Sequence, residues 1–310
     1  GVPRKSSFIN VTVEVEDEND NSPQFTKPKY FTNILENSTS GASVLSVTAN
    51  DLDSTSPNNN FLYRIDSGAM DKFRINFQTG LITVEIGAVL DREARSQYIM
   101  NISATDRGSQ PLSGYCVVEI NITDINDQTP VFTPASRSAS VMENSVIGTI
   151  VTTVTASDAD QNFHLVYSII PNSIKAKDEN GLEVNITANK IIDYFNIHVG
   201  NGSIYVNSTL DRETAEVITM EILATDLNAW VPVGNSSNPQ TATATLSITL
   251  LDFNDNAPEF ILSTYQLNVS EGLDINAEVL RLQTRDKDKG QIISYRINNN
   301  TFGKFAVTST

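Results

Sequence analysis

The chain has 310 residues, of which 39% are apolar and 7% aromatic, and 37 acidic against 21 basic side chains give a net charge of -16. This length predicts two to three domains of about 100 residues each. Because a nucleic-acid surface needs clustered Lys and Arg, the charge argues against nucleic acid and favours either cations as partners or simply a soluble, self-repelling surface. There is no apolar run near 18 residues, so any membrane anchor of a parent protein is expected to lie elsewhere.

Cysteine and sequon content together predict a secreted glycoprotein. Cys116 is the sole cysteine, which excludes an internal disulfide framework. Asn-x-Ser/Thr sequons, by contrast, are frequent, and they mark candidate glycosylation sites in an extracellular protein. They begin at Asn10, Asn37, Asn101, Asn121, Asn185, Asn201, Asn207, Asn235, Asn268 and Asn299.

In chain order, the first predicted strand alternates apolar Ile9, Val11, Val13 and Val15 with polar residues, just before the motif Asp-x-Asn-Asp-x-x-Pro at 17–23. The same alternation precedes the second and third copies of the motif, at 124–130 and 252–258. Cys116 lies on the apolar face of the second of these strands and is interpreted as a small core residue. Strict alternation predicts half-buried antiparallel strands, and many short strands predict a sandwich of about seven per repeat.

Acidic residues recur at fixed distances from this motif. Glutamates follow its second Asp by 16 residues, and the second residue of an Asp-x-Asp pair follows each glutamate by 17. Leu-Asp-Arg-Glu occurs at 90–93 and 210–213, and Ala-Thr-Asp ends at 106 and 226. The phase predicts a partial repeat at 1–25, complete repeats at 26–132 and 133–260, and part of another at 261–310. We call the regions around the three motif copies the N-terminal, central and C-terminal junctions.

These carboxylates lie at strand ends or in loops, which gather at the two ends of a sandwich. Two close carboxylates repel each other by about 1 kcal/mol in water and about 4 kcal/mol at an effective surface dielectric. Either the pKa values of these carboxyls rise or cations neutralise them. Oxygen ligands in this number suit Ca²⁺, whereas Mg²⁺ demands a tighter octahedron. With His164 and His198 as the two histidines, zinc is not expected.

The set of motifs resembles the extracellular repeat of the cadherin family. The resemblance implies tandem Greek-key, immunoglobulin-like β-sandwiches in an elongated all-β rod, with three calcium ions at each complete junction. It also implies an extracellular segment of a membrane-anchored adhesion protein. Its partner would be another cadherin ectodomain, in homophilic or heterophilic contact. The irregular long second repeat favours a long cadherin, outside the group that exchanges strands through an N-terminal Trp.

Calcium ligands are implied position by position. The central junction would use Glu36, Asp91, Glu93, Asp124, Asn126, Asp127, Asp158, Asp160 and Asp226, with the carbonyls of Ile125, Gln128 and Asn162. The C-terminal junction would use Glu143, Asp211, Glu213, Asp252, Asn254, Asp255, Asp286 and Asp288, with the carbonyls of Phe253, Asn256 and Gly290. The N-terminal junction would use Asp17, Asn19, Asp20, Asp51, Asp53 and Asp106. Gln128 replaces the usual Asn, with little expected effect because it would donate a carbonyl.

Other functions fit the pattern less well. Paired carboxylates also occur in glycosidases, but three copies at fixed phase argue against a catalytic centre, so no enzyme is predicted. Within the fold, the segment is either an adhesive surface or a passive spacer. A heterophilic site would use the long loops at 171–190 and 227–241, the second of which carries Trp230, the sole Trp.

Overall fold

The computed structural model describes residues 2–228, 240–298 and 303–308. The chain divides into two compact units. One comprises Gly1–Asp127 with Ala159–Asn162, and the other comprises Gln128–Asp158 with Phe163–Thr310. Each unit contains one β-sandwich with its own hydrophobic core.

The first unit is built from nine strands, seven of which form two facing sheets. One sheet has the order β2-β9-β8-β5 and the other β3-β7-β6, while β1 and β4 form a short separate pair. The strands are β1 (Gln24–Phe25), β2 (Lys29–Leu35), β3 (Ser43–Ser46), β4 (Ala49–Asn50), β5 (Phe61–Ser67), β6 (Phe73–Ile75), β7 (Leu81–Val84), β8 (Gln97–Asp106) and β9 (Ser113–Thr123).

Strand β9 shows how the sequence determines this sheet. Val118, Ile120 and Ile122 are buried, and the residues between them point outward, so the predicted alternation is confirmed. Cys116 lies in the same buried row with 4% of its surface exposed. Strand β9 pairs with β8 antiparallel and with β2 parallel. The parallel pairing therefore places the C-terminal ends of β2 and β9, at Leu35 and Thr123, at the same end of the sheet, next to Glu36 and Asp124.

The second unit repeats this arrangement with an insertion. Its strands are β10 (Val131–Phe132), β11 (Ser136–Met142), β12 (Ile150–Thr153), β13 (Ala156–Ser157), β14 (Leu165–Ile169), β15 (Lys175–Lys177), β16 (Glu183–Val184), β17 (Phe195–Ile197), β18 (Ser203–Val206), β19 (Val217–Asp226), β20 (Gln240–Leu251), β21 (Glu259–Phe260) and β22 (Thr284–Arg285). Two short 3₁₀ turns, Pro171–Ser173 and Ile191–Asp193, flank the inserted segment.

The insertion forms an extra hairpin on the larger sheet. Strand β19 pairs with β20 along its whole length, and β14 and β15 share its other edge. Strand β15 then pairs with β16. The residues predicted as surplus between Asp160 and Leu210 thus extend the sheet, while β12-β18-β17 form the second sheet as in the first unit.

The structure corrects one sequence expectation and confirms another. The strand predicted at Ile9–Val15 is wrong: these apolar residues are 75% to 92% exposed and belong to no strand. Alternation gives a strand only where another strand completes the ladder, and no described residue pairs with this segment. The all-β prediction is confirmed, since the described residues contain no α-helix. No helix among them has the length and hydropathy to cross a membrane.

Candidate metal centres

A buried glutamate organises both the central and the C-terminal junction. Glu36 is 2% exposed, and its two carboxylate oxygens accept hydrogen bonds from the main-chain N–H groups of Arg92 at 2.8 Å and Ile125 at 2.7 Å. The glutamate thereby joins the Leu-Asp-Arg-Glu loop to the Asp-x-Asn-Asp motif. These N–H groups occupy only part of the carboxylate's acceptor capacity, so the same oxygens remain able to bind a cation.

The second unit repeats this arrangement atom for atom. Glu143 accepts hydrogen bonds from the N–H groups of Arg212 at 2.8 Å and Phe253 at 2.7 Å. Because the two units reach the same geometry from different sequences, the glutamate's position follows from the repeat phase and not from local side chains.

Carboxylates converge around these glutamates. Four groups of three acidic residues have ligand oxygens that all lie within 4.8 Å of one another. Two groups are in the first unit and two in the second. The groups are Glu36, Asp91 and Glu93; Glu93, Asp124 and Asp160; Glu143, Asp211 and Glu213; and Glu213, Asp255 and Asp288.

The electrostatics of these groups favour a bound cation. Burial, followed by the charge of Glu36, raises the pKa of Glu93 to about 7. Burial and the charge of Glu143 likewise raise the pKa of Glu213. A raised carboxyl pKa means that the charged form is disfavoured. Added positive charge beside these two glutamates would therefore favour their ionised form.

Several buried side-chain oxygens in these regions have no hydrogen-bond donor within the described residues. They include Oδ1 of Asn19 and Asn126, and Oδ2 of Asp51, Asp53 and Asp226. Buried polar atoms are normally satisfied, so an oxygen without a donor indicates a missing ion or water. All of these are hard oxygen ligands, and neither histidine belongs to any of the acidic groups in the described chain. The donor set fits Ca²⁺ and not Zn²⁺.

The predicted ligands of the central junction fall in both units. Asp91 accepts a hydrogen bond from the N–H of Ala94 at 2.8 Å, Asn126 donates to the carbonyl of Asn162 at 3.2 Å, and Asp127 accepts one from Asn37. The acidic groups bring together the first-unit carboxylates Glu36, Asp91, Glu93, Asp124 and Asp160, and the Asn126 contact joins the motif to Asn162. Gln128, Asp158 and Asp226 belong to the second unit, and their part in this junction stays a prediction.

The C-terminal junction lies within the second unit and lines an open cavity of about 960 Å³. Asp211 accepts hydrogen bonds from the N–H and hydroxyl of Thr214, both at 2.8 Å, and Asp286 accepts one from the N–H of Asp288 at 3.0 Å. Asn254 donates to Gln291 at 2.9 Å. Gly290 adopts φ +75°, so the chain turns sharply after the Asp-x-Asp pair. Its carbonyl's role stays a prediction.

The N-terminal junction is organised differently. Asp17 accepts hydrogen bonds from Thr55, Asn58 and the N–H of Ser54, and these bonds, the Ser54 bond first, lower its pKa. Burial, with the charges of Asp53 and Asp106, raises the pKa of Asp51.

The remaining predicted ligands of this junction are held by asparagine amides. Asn19 donates to Asp106 at 3.2 Å, and Asn21 donates to Asp20 at 2.7 Å and to Asp53 at 2.7 Å. Within the described residues, no group of three carboxylates meets here.

Sequence reasoning missed two kinds of residue. Asn256 was expected to offer a carbonyl, yet its side-chain amide donates to Glu213, Asp255 and Asp288, and Asn21 contacts Asp53 in the same way. Their identical place in the motif was the available signal. The arginine between the ligands of Leu-Asp-Arg-Glu was given no role, although Arg92 and Arg212 lie among the carboxylates.

Among the sequons, Asn10, Asn37, Asn101, Asn185, Asn201, Asn207 and Asn268 are exposed and Asn121 is partly exposed. The side-chain amide of Asn37 is engaged by Asp127, which places this sequon beside the central junction. Asn235, Asn299 and Trp230 lie outside the described residues.

Comparison with known proteins gives a consistent match. Residues 30–123 and 137–251 each match the family described as Cadherin domain. The chain is 39% identical to mouse Cadherin-23 over 281 residues, and 34% identical to mouse Cadherin EGF LAG seven-pass G-type receptor 2 over 310 residues. These alignments cover 90% and 99% of the chain but only 8% and 10% of the relatives, so the chain spans a small part of their length.

Solved structures agree with this result. The crystal structure of mouse Cadherin-23 EC22-24 matches with a TM-score of 0.58 and 27% identity, over 87% of this chain and 80% of that one. Extracellular cadherin domains 3-6 of Protocadherin Gamma B2 match with a TM-score of 0.69 and 25% identity, over 89% of this chain and 62% of that one. The paired sheets of each unit are thus those of tandem cadherin ectodomain repeats.

Proposed function

We propose that this chain, which belongs to the cadherin family, is an extracellular segment of a cell-surface adhesion protein in which calcium fixes the angle between neighbouring repeats. The motifs point to this function, and the family match supports it over both complete repeats. We further propose the repeat boundaries 1–25, 26–132, 133–260 and 261–310. The relatives are named as cadherins, and three motif copies at fixed phase argue against a single catalytic centre, so we expect no enzymatic activity.

The observation that carries the proposal is the convergence of carboxylates. Glu93 and Glu213 each belong to two of the four acidic groups, so each bridges two candidate cation positions. Bridging carboxylates between adjacent ions are efficient because one side chain offers two oxygens. Without metal the charged form of Glu93 is disfavoured, because burial first and the charge of Glu36 second raise its pKa.

Three ions per complete junction are proposed, with the ligand roles carried over from the family. At the central junction an outer ion would be held by Glu36, Asp91, Glu93 and Asp127. A middle ion would be held by Glu36, Glu93, Asp124, Asp127, Asp160 and the Ile125 carbonyl. The third would be held by Asn126, Asp158, Asp160, Asp226 and the carbonyls of Gln128 and Asn162.

The chain's own residues supply the stiffness. Glu36 and Glu143 fasten the Leu-Asp-Arg-Glu loop to the linker through main-chain N–H groups. Asp160 and Asp288 belong to the Asp-x-Asp pair of the following repeat, and each shares an acidic group with residues of the preceding repeat. Bound calcium would add positive charge at these groups, so the linker would lose the freedom to swing.

Calcium titration with scattering tests the proposal. Isothermal titration of the chelator-treated chain should show binding at several sites, and small-angle scattering should show a larger, better-defined radius of gyration in calcium than in EGTA. The Glu93→Gln, Glu213→Gln double variant should lose most of the binding, whereas Glu119→Gln, on the outer face of strand β9, should retain it. Equal radii of gyration in both conditions would refute the stiffening mechanism.

For the partner, we propose another cadherin ectodomain on the same or an opposing cell. Bead aggregation with the full ectodomain, comparing the native 227–241 loop with a short replacement, separates adhesion from spacing. Loss of aggregation supports a partner site in that loop, where Trp230 lies, and unchanged aggregation supports a spacer. Mass spectrometry of the secreted chain, before and after enzymatic deglycosylation, tests the ten sequons.

A further inference from the structure

The arginine of each Leu-Asp-Arg-Glu segment lies inside its acidic junction, although arginine cannot bind calcium. Arg212 is among the most deeply buried side chains of the second unit, at 2% exposure. A charged group that is buried to this extent is tolerated only when it is paired and hydrogen-bonded. Its contacts therefore indicate what it does.

The Arg212 guanidinium joins three parts of the C-terminal junction. Nη2 lies 2.5 Å from Glu213 Oε1, within its own loop, and Nε lies 2.6 Å from Asp252 Oδ1, in the linker. Nη2 also donates to the carbonyl of Lys287 at 2.9 Å, inside the Asp-x-Asp segment. One side chain thus ties together the loop, the linker and the following repeat.

Arg92 makes the same three contacts in the first unit. It pairs with Glu93, its Nε lies 2.6 Å from Asp124 Oδ1, and it donates to the carbonyl of Ala159 at 2.9 Å. Ala159 and Lys287 are both the middle residue of an Asp-x-Asp pair. Because the same three arginine contacts occur in both units, they are a general feature of the junction and not a peculiarity of one repeat.

The carboxylates around Arg212 stabilise its positive charge. Burial alone would lower the pKa of its guanidinium, but the negative charges of Glu213, Asp252 and Glu143 raise it. Glu213, Glu143 and Asp252 are all proposed calcium ligands. Arginine and calcium therefore neutralise the same carboxylates, and the arginine is present whether or not calcium is bound.

We propose that Arg92 and Arg212 are built-in counter-cations that hold the junction together in the calcium-free protein, and so set how strongly stability depends on calcium. The inference rests on the proposed function, because it assumes that calcium binds these carboxylates. Loss of the arginine charge should weaken the calcium-free junction more than the calcium-loaded one, since bound calcium supplies replacement charge.

The test compares Arg212→Gln and Arg212→Lys in the full chain, with Arg64→Gln as a matched control. Arg64 is an exposed arginine that pairs with Asp66 in strand β5 and belongs to none of the junction motifs. Thermal unfolding is measured for each protein in saturating calcium and in EGTA. We expect Arg212→Gln to lower the unfolding temperature by several degrees in EGTA and by clearly less in calcium.

Arg212→Lys separates charge from geometry. Lysine keeps the positive charge but lacks the planar fork that bonds several oxygens at once. We expect Arg212→Lys to recover at least half of the unfolding temperature that Arg212→Gln loses in EGTA. Arg64→Gln should shift both conditions equally and by little, as expected of an exposed pair.

Limited trypsin digestion gives a local readout. Arg285, Lys287 and Lys289 lie in and beside the Asp-x-Asp segment held by Arg212, whereas residues 158–162 of the central junction contain no trypsin site. In EGTA, cleavage after these three residues should be several-fold faster in Arg212→Gln than in the wild type. In calcium the two rates should be similar.

The outcomes are distinguishable. If the wild type binds no calcium, the proposed function fails, whatever the variants do. If it binds calcium but Arg212→Gln loses the same stability in both conditions, the arginine is an ordinary packing residue and the inference fails. A larger loss in calcium than in EGTA would make it a positioning residue for the metal ligands, which also overturns the counter-cation role.

Discussion

Asp124 Oδ2 accepts a hydrogen bond at 3.1 Å from the main-chain N–H of Gln161, 37 residues further along the chain. The first Asp of the other two motif copies does the same at the same spacing, Asp17 with Ser54 at 3.0 Å and Asp252 with Lys289 at 3.0 Å. In each case the N–H belongs to the residue that follows the Asp-x-Asp pair. The first Asp of the motif is therefore a structural clamp as well as a proposed ligand.

This double role predicts that two aspartates of one motif respond differently to substitution. In Asp252→Asn, one carboxylate oxygen is replaced by an NH₂ group that faces either Arg212 Nε or the N–H of Lys289, both of which are donors. Loss of a charged partner by a partly buried group costs about 1–3 kcal/mol. We expect the C-terminal junction to lose stability in calcium and in EGTA alike, as measured by thermal unfolding.

Asp255→Asn serves as the control. Asp255 accepts a hydrogen bond from its neighbour Asn256 and belongs to an acidic group with Glu213 and Asp288, but no arginine pairs with it in the described residues. Removing its charge relieves repulsion in EGTA and removes a ligand in calcium. We expect lower stability in calcium only, and the clamp interpretation is wrong if Asp252→Asn behaves in the same way.

Much of the candidate site was predictable from the sequence because its residues are fixed by repeat phase. The glutamates at 36 and 143 and the second Asp of each Asp-x-Asp pair, which keep a fixed spacing, meet the Leu-Asp-Arg-Glu loops in linked acidic groups in both units. The repeated motifs place corresponding residues at the same end of each sandwich, although the insertion lengthens the second repeat before its Leu-Asp-Arg-Glu loop. No knowledge of individual contacts was required.

What could not be predicted depends on contacts that have no sequence signal of their own. Arg92 stands between two ligand residues, and only the fold shows that its guanidinium turns inward to Asp124. The alternation at Ile9–Val15 predicts a strand but says nothing about its partner. Glu179 lies in the inserted hairpin loop, and the distance from its carboxylate to Arg212 follows from how that hairpin pairs with β19.

The glycine between β17 and β18 is predicted to be intolerant of a side chain. Gly202 has φ +70°, and a Cβ there would lie 2.0 Å from the carbonyl oxygen of Val154. Gly181 has a similar φ of +79°, but a Cβ there would meet nothing within 4 Å. We expect Gly202→Ala to lower the free energy of unfolding by several kcal/mol and Gly181→Ala by about 1–2 kcal/mol, the cost of the left-handed backbone alone. If urea unfolding showed similar losses of stability for Gly202→Ala and Gly181→Ala, the steric argument would be contradicted.

Cys116 is predicted to be chemically silent in the folded protein. Burial raises the pKa of its thiol from 9.0 to about 12, so the reactive thiolate is scarce at pH 8. The native chain should not react with a thiol reagent such as DTNB, and the guanidinium-unfolded chain should react completely. Rapid labelling of the native chain would contradict this placement.

The same shift has a consequence for stability. Because the pKa of the Cys116 thiol is higher in the folded chain than in the unfolded chain, the contribution of this residue to the free energy of unfolding is complete below pH 9. This contribution is lost as the pH rises from about 9 towards 12. Cys116→Ala should therefore show a shallower loss of stability than the wild type over this alkaline range, when both are followed by urea unfolding.

The C-terminal junction contains an ion pair that the central junction lacks, because uncharged residues occupy the two corresponding positions there. Lys289 Nζ lies 2.7 Å from Glu216 Oε2 and 4.0 Å from Glu179 Oε2. By repeat phase, Lys289 corresponds to Gln161 and Glu216 to Ser96. The Lys289 side chain is 46% exposed, so the pair should contribute no more than about 1 kcal/mol and should weaken as salt is added.

The prediction is tested by exchanging the two pairs of residues. Lys289→Gln with Glu216→Ser should lower the unfolding temperature in EGTA at low salt and have little effect at high salt. Gln161→Lys with Ser96→Glu, installed in the first unit, should raise it under the low-salt condition. A salt-independent change in the first double variant would show that packing by the lysine stem, and not its charge, is responsible. Because calcium would neutralise neighbouring carboxylates such as Asp288, both effects should shrink when calcium is present.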